Sequence, residues 1–245
     1  MYILSAILHR ALIAQPLPGP SVVLGLGLAA ILLVGLRPLW RTTRMLVTIT
    51  HEAGHAVVGG LCGRRLEGIR LNADTSGVTV TRGRAGGPGM VATLSAGYTA
   101  PAVVGVGAAA ILGTGHASGL LWVFLLVLAL MLLAIRNLYG LLVILVVGGA
   151  LGLATWYLPV ALQSWLAYLL CWVLLLGAVR PTLELAGTRD RGSDPAQLAR
   201  LTHVPAALWT GLFMLVALAG LLLGGWMLLG ATGLVTPLLP LGSTA

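Results

Sequence analysis

The sequence predicts an all-α polytopic membrane protein of about six to seven transmembrane helices, with one small β-hairpin directly after a helix that carries an H-E-x-x-H motif. Three observations point there. Apolar residues make up 58% of the 245, and the mean hydropathy is +1.02. Charged residues are only 8%, against about 25% in an ordinary soluble domain. The apolar residues fall in runs that approach or reach the roughly 20 helical residues needed to cross a hydrocarbon core.

The 34 glycines suit close helix contacts in lipid. The formal charge of +8 comes from 14 arginines, with no lysine. On a soluble chain that charge would suggest nucleic acid. Here the arginines stand between apolar runs, as topology signals and anchors for anionic head groups, so no nucleic-acid partner is expected. Usage rich in Ala, Gly and Arg suits a bacterial chain, and a bacterial cell (inner) membrane is the expected location. Cys62 and Cys171 lie in apolar surroundings without a CxxC partner, so neither a disulfide framework nor a thiolate metal site follows.

From the N-terminus, the apolar residues 3–8 precede the first basic residue, Arg10, which is the reverse of a cleaved secretory signal. Residues 2–14 either lie in the interface or extend the first span, and QPLPGP breaks the helix after them. Seven candidate spans follow, at about 21–40, 43–62, 90–113, 119–135, 138–156, 160–179 and 204–230. RNLYG leaves only a tight turn at Arg136–Asn137 between the fourth and fifth. Trp40, Trp122, Trp156 and Trp209 fall near span ends, as interfacial belts do. Residues 64–84 alternate apolar and polar around the turn NADTSG, a hairpin pattern, and residues 180–203 form a polar connection. The glycines of 105–119 suit helix packing rather than a phosphate loop, since no strand precedes them and no lysine exists. The whole chain, 1–245, reads as a single membrane-embedded domain.

Arginines set the expected orientation. One side carries eleven: Arg10, the five of 64–84, Arg136, Arg180, Arg189, Arg191 and Arg200. The other carries Arg37, Arg41 and Arg44. The positive-inside rule makes the first side cytoplasmic, with the N-terminus inside and the C-terminus outside.

Within the second span, His51-Glu52-Ala53-Gly54-His55 places two histidines four residues apart, on one helix face. Both imidazoles can then reach one Zn²⁺, while Glu52 faces a water on that ion and moves its proton to a leaving amine. The plainer reading is a hydrogen-bonded histidine pair with Glu52 as its ion partner. Ionisable residues inside a span are costly, however, and a metal would give all three a common partner. Counted back from Cys62 at 1.5 Å per residue, His55 lies about 10 Å and His51 about 16 Å below the membrane face. Cleavage at that depth needs a polar cleft or gate.

Several features besides HEAGH are similar to the site-2 protease family, zinc metallopeptidases that cut substrates within the membrane. They are IRLNADTSGVTVTRG directly after the motif, the small-residue stretch SAGYTAPAVVG at 95–105, Arg136-Asn137, and SDPAQLARLTHVPAALW at 193–209. The last two resemble a compact bacterial branch of that family. The resemblance implies Zn²⁺, Glu52 as general base, and His51 and His55 as ligands. Better-known members supply a third ligand from an N-x-x-P…D-G segment. This chain has no Asp-Gly pair, and Asn137 has no proline three residues later.

The resemblance and the expected topology together make Asp194 the preferred third ligand, with Glu184 and His203 in reserve. Asp194-Pro195-Ala196-Gln197 is equally a good helix start with Asp as N-cap. Asp190, Glu67 and Asp74 are expected in solvated loops. Asn137 either donates to a developing oxyanion or makes a turn, and Tyr98 either lines a cleft or packs in a span. His116 is expected in an exposed loop and His9 at the interface. The hairpin either takes an extended substrate by strand addition or plugs the cleft.

The function expected is an intramembrane zinc metalloprotease acting on transmembrane protein or peptide substrates. A zinc-binding pseudoprotease serving as scaffold or sensor is the alternative. A metal transporter is disfavoured, because spans three to six carry almost no polar path.

Overall fold

The computed structural model describes residues 2–187 and 190–236, so Arg189 of the polar connection lies outside the described residues. The order is α1 (Tyr2–Leu12), α2 (Pro20–Gly35), α3 (Arg37–Leu61), β1 (Arg65–Leu71), β2 (Gly77–Arg82), α4 (Pro88–Gly113), α5 (Ala117–Ala134), α6 (Leu138–Tyr157), α7 (Val160–Ala186), α8 (Asp194–Thr202) and α9 (Ala206–Gly230). Helices α4, α5, α6, α7 and α9 are each long and apolar enough to cross a membrane. Helices α2 and α3 pass that test only as a pair bent by 100°, which makes up to six crossings. The all-α multi-pass fold and the hairpin are as the sequence predicts. The spans expected at 21–40 and 43–62 are instead the two arms of this bent pair.

The bend has a local cause. Leu36 takes an extended conformation between the arms, and Pro38 has no N–H to return to the carbonyl of Val34. Such freed carbonyls need donors in a low-dielectric interior. The Arg180 guanidinium of α7 supplies them, donating to the carbonyl oxygens of both Val34 and Gly35. Its plane lies over the Trp40 ring, 4.9 Å from the centroid. Trp40 is thus not an interfacial belt residue. It is buried and donates its indole N–H to Glu184 at 3.0 Å.

Helix α4 sits at the centre, packed against α3, α7 and α9, while α2 lies along α7. Small residues allow the close approach of α3 and α4: a Cβ on Gly54 would stand 2.5 Å from the Ala100 side chain and 2.7 Å from the Ala96 carbonyl. A second apolar cluster lies under the hairpin, where Ile69 and Leu71 insert among Met45, Ile49, Met131 and Ile144. Burying such side chains contributes roughly 1.5–3 kcal/mol each. The strands pair antiparallel from Arg65↔Arg82 to Leu71↔Gly77, with an irregularity between Leu66 and Gly68.

The α5–α6 turn falls at Ile135–Asn137, as RNLYG predicts, and closes the outer edge of β1. Ile135 bridges Ile69, the Arg136 N–H donates to the Ile69 carbonyl at 2.9 Å, and Asn137 imitates a strand residue. Its amide oxygen accepts from the Leu71 N–H at 3.2 Å and its NH₂ donates to the Leu71 carbonyl at 2.7 Å.

The bend also overturns the expected sorting of charge. Arg44 pairs with Glu184 at the α8 end of α7, so Arg37, Arg41 and Arg44 share the hairpin's end of the bundle. Arg10 alone among the described arginines stands at the opposite end, donating to the Trp156 carbonyl near the close of α6. Residues near α1 and the close of α9 meet at that same end: Gln15 bonds Ser118 at the start of α5, and Leu228 packs with Leu112 and Ala117. The described N- and C-terminal helices therefore end on one side, not on opposite sides as the seven-span count predicts.

Candidate metal centre

One face of α3 carries Arg44, Thr48, His51 and His55 at helical spacing, with Glu52 on its flank. This face looks toward α4, the hairpin and the start of α8. His51 Nε2 and His55 Nε2 are 3.0 Å apart. Asp194 Oδ2 lies 3.2 Å from the first and 3.3 Å from the second. The three residues form a group that could hold a metal ion. A tetrahedral zinc with bonds of about 2.0–2.1 Å requires ligand atoms about 3.3 Å apart, so the donor set and its spacing fit that ion.

Two features of α4 prepare the pair. His55 Nδ1 lies 2.7 Å from the Thr93 carbonyl, which can only accept, so Nδ1 carries a proton and Nε2 is the nitrogen turned to His51 and Asp194. Gly97 stands against both rings, where a Cβ would be 2.4 Å from His55 Nε2 and 2.5 Å from His51 Nε2. Gly97 is nine residues past Pro88, about 13 Å along α4 from its start.

Asp194 is the first residue of α8, but it is not the N-cap. Ser193 takes that place, and Gln197 reaches back to the Gly192 carbonyl at 2.8 Å. The Asp194 carboxylate is turned instead to the two imidazoles. Burial pushes its carboxyl up, yet the hydrogen bonds and charge of His51 and His55 outweigh this and hold it below the usual carboxylate range.

The reserve ligands lie elsewhere. Glu184 is held by Arg44 at 3.2 Å, Arg180 at 3.1 Å and Trp40. His203 is exposed, in a left-handed conformation that closes α8. Glu67 and Asp190 are exposed, and Asp74 caps the hairpin turn through the N–H and hydroxyl of Ser76. Asn137 is committed to the Leu71 backbone. His9 is exposed, and His116 sits half-buried at the α4–α5 turn with Thr114.

A cleft of about 450 Å³ opens on the cluster, lined among others by Arg44, Glu52, Gly77, Tyr98 and Asp194. Tyr98 faces it, with its ring edge-on to His51 at 4.8 Å and stacked on Phe213 at 5.4 Å. Glu52 lines the cleft with only 3% of its surface exposed. Its carboxylate accepts from the Thr79 hydroxyl of β2 at 2.6 Å. Thr79, Gly77, Thr93 and Gly97 were not singled out from the sequence. Alternation along GVTVT, which puts Gly77, Thr79 and Thr81 on one face, was the available signal for the hairpin pair.

Fold and cluster together define a multi-pass membrane protein with a candidate metal centre inside its helical bundle. The Peptidase M50B-like family model matches residues 24–224, and the chain belongs to that family, which is of the site-2 protease type. No curated protein and no solved structure matches the chain.

Proposed function

We propose that the protein is an intramembrane zinc metalloprotease that cleaves membrane-spanning peptide segments. The observation that carries the reading is the trio of His51 Nε2, His55 Nε2 and Asp194 Oδ2, 3.0–3.3 Å apart, at a cleft that His51, Asp194 and Glu52 line together. His51, His55 and Asp194 would hold the ion. When bound, zinc would polarise the scissile carbonyl and make water a competent nucleophile near neutral pH. Glu52 takes the proton from the attacking water and delivers it to the leaving amine. Tyr98 and the cleft walls limit how much water surrounds that exchange.

A helical substrate hides its carbonyls in its own hydrogen bonds, so it must unwind before attack. With the β1 edge occupied by Ile135–Asn137, an extended substrate adds to the outer edge of β2, beside Glu52. The arginines gathered at the hairpin's end favour a cytoplasmic orientation for it, in a bacterial cell membrane.

Zinc analysis and a cleavage assay test the reading. Purified wild type should carry about one zinc, and His55→Ala should lose it. Wild type should cut a dye-labelled single-span peptide in micelles, while Glu52→Gln keeps zinc without turnover. Equal zinc in wild type and His55→Ala would overturn the metal assignment. Zinc-loaded wild type that fails to cut, or Glu52→Gln that cuts equally well, would favour a scaffold or sensor.

A further inference from the structure

We infer that Thr79 is a positioning residue for Glu52: from β2 it clamps one carboxylate oxygen of the general base and leaves the other to the cleft. The inference rests on the proteolytic reading above, and deepens it by giving the hairpin a role in the chemical step.

Three contacts carry it. First, the Thr79 hydroxyl lies 2.6 Å from Glu52 Oε2 and 3.1 Å from the Glu52 carbonyl oxygen. A hydroxyl has one proton, and the shorter contact to the charged acceptor takes it. Second, a Cβ on Gly77 would stand 2.5 Å from Glu52 Oε1 and 2.6 Å from its Cγ. Glycine at 77 therefore gives the Glu52 side chain room to lie against β2, on the side of the oxygen that Thr79 does not occupy. Third, the turn before β2 is tied to α3 four residues ahead of Glu52. The Thr48 hydroxyl donates to the Thr75 carbonyl at 2.8 Å, and Thr75 holds a left-handed φ of 69° there. A left-handed β-branched residue is uncommon and persists where its surroundings over-determine it. The hairpin is thus registered on the helix both ahead of the base and at it.

A carboxylate on a side chain with three rotatable bonds would otherwise sample several rotamers. Misplacing a reacting group by about 1 Å can cost on the order of 100-fold in rate. Holding Oε2 fixes the carboxylate plane and directs Oε1 at the place where water must lose its proton. The Thr79 hydroxyl is taken up by Glu52, and a substrate strand added to β2 would bond to backbone groups that a side-chain change leaves in place, so the effect belongs in turnover, not in substrate binding.

The test compares Thr79→Val, Thr79→Ser and Glu52→Gln with wild type, using a dye-labelled single-span peptide in micelles and zinc content by elemental analysis. Thr79→Val keeps the side-chain shape without the hydroxyl. It should lower kcat by about 10- to 100-fold, with KM within about twofold and zinc unchanged. Thr79→Ser restores the hydroxyl and should stay within about fivefold of wild type, well above the valine variant. Wild-type kcat in Thr79→Val while Glu52→Gln is inert overturns the inference and leaves the proteolytic reading standing. Serine and valine variants equally impaired, or zinc lost from Thr79→Val, means a structural contact and overturns it too. Glu52→Gln that turns over like wild type removes the proteolytic reading itself.

Discussion

Replacing Gly97 with alanine should strip the metal from a bundle that still folds. The new Cβ would stand 2.4 Å from His55 Nε2, 2.5 Å from His51 Nε2 and 2.6 Å from His51 Cε1. Heavy atoms at rest keep about 3.5–4.0 Å, so both rings must retreat by about 1 Å. The clashing atoms are the outer ends of side chains rather than backbone, so the rings give way more cheaply than a backbone oxygen could. Metal bonds tolerate displacements of only about 0.2 Å, so affinity should fall by at least about 100-fold. Gly54→Ala is the matched control. Its Cβ meets the Ala96 backbone oxygen at 2.7 Å, which cannot swing aside, and overpacking of this kind costs about 1–3 kcal/mol. Zinc competition with a chelator and thermal unfolding by circular dichroism in detergent separate the two outcomes. The reasoning is refuted if Gly97→Ala binds zinc as wild type does, or if it loses stability as Gly54→Ala is expected to.

Three further outcomes follow from the same geometry. Asp194→Ala should lower zinc affinity by at least about tenfold, while Glu184→Gln and His203→Ala keep it, as chelator competition would read. Asn137→Ala removes two hydrogen bonds to the Leu71 backbone. At about 0.5–1.5 kcal/mol each, it should loosen the hairpin and speed protease nicking within 72–76, with zinc retained. In a Cys62→Ser background, cysteines placed at Arg41 and Arg82 should react with an impermeant maleimide from the same side of the membrane, and a cysteine at Arg10 from the other.

What the sequence made legible was what local spacing decides. Histidines four residues apart on a helix share a face whatever surrounds them, and NADTSG between alternating runs makes a hairpin turn. The Arg136–Asn137 turn was legible as a break in apolar periodicity. Its task was not, because the partner of Asn137 is Leu71, far away in the sequence. Glu184 looked like a ligand for a similar reason. A lone acid near a metal motif is ambiguous until Arg44, Arg180 and Trp40 are seen to close around it. The N-cap reading of Asp194 failed because the serine before it could start the helix, which left the carboxylate free to face the imidazoles.

The bend at Leu36 links these corrections. A straight helix through residues 43–62 would have carried Arg41 and Arg44 to the far head groups, and the arginines would then have split between two sides. The bent arm instead keeps Arg37, Arg41 and Arg44 at the hairpin's end, where Arg44 meets Glu184. Arg180 can then fill two roles at once, supplying donors to the carbonyls of the broken turn and holding the carboxylate that pairs with Arg44. That arrangement leaves no described cation except Arg10 at the other end. It also sets α3 against α4, where Gly54 and Gly97 admit the helix and its two imidazoles. Breaking one helix thus lets a single polar face of α3 serve both charge sorting and the candidate metal centre.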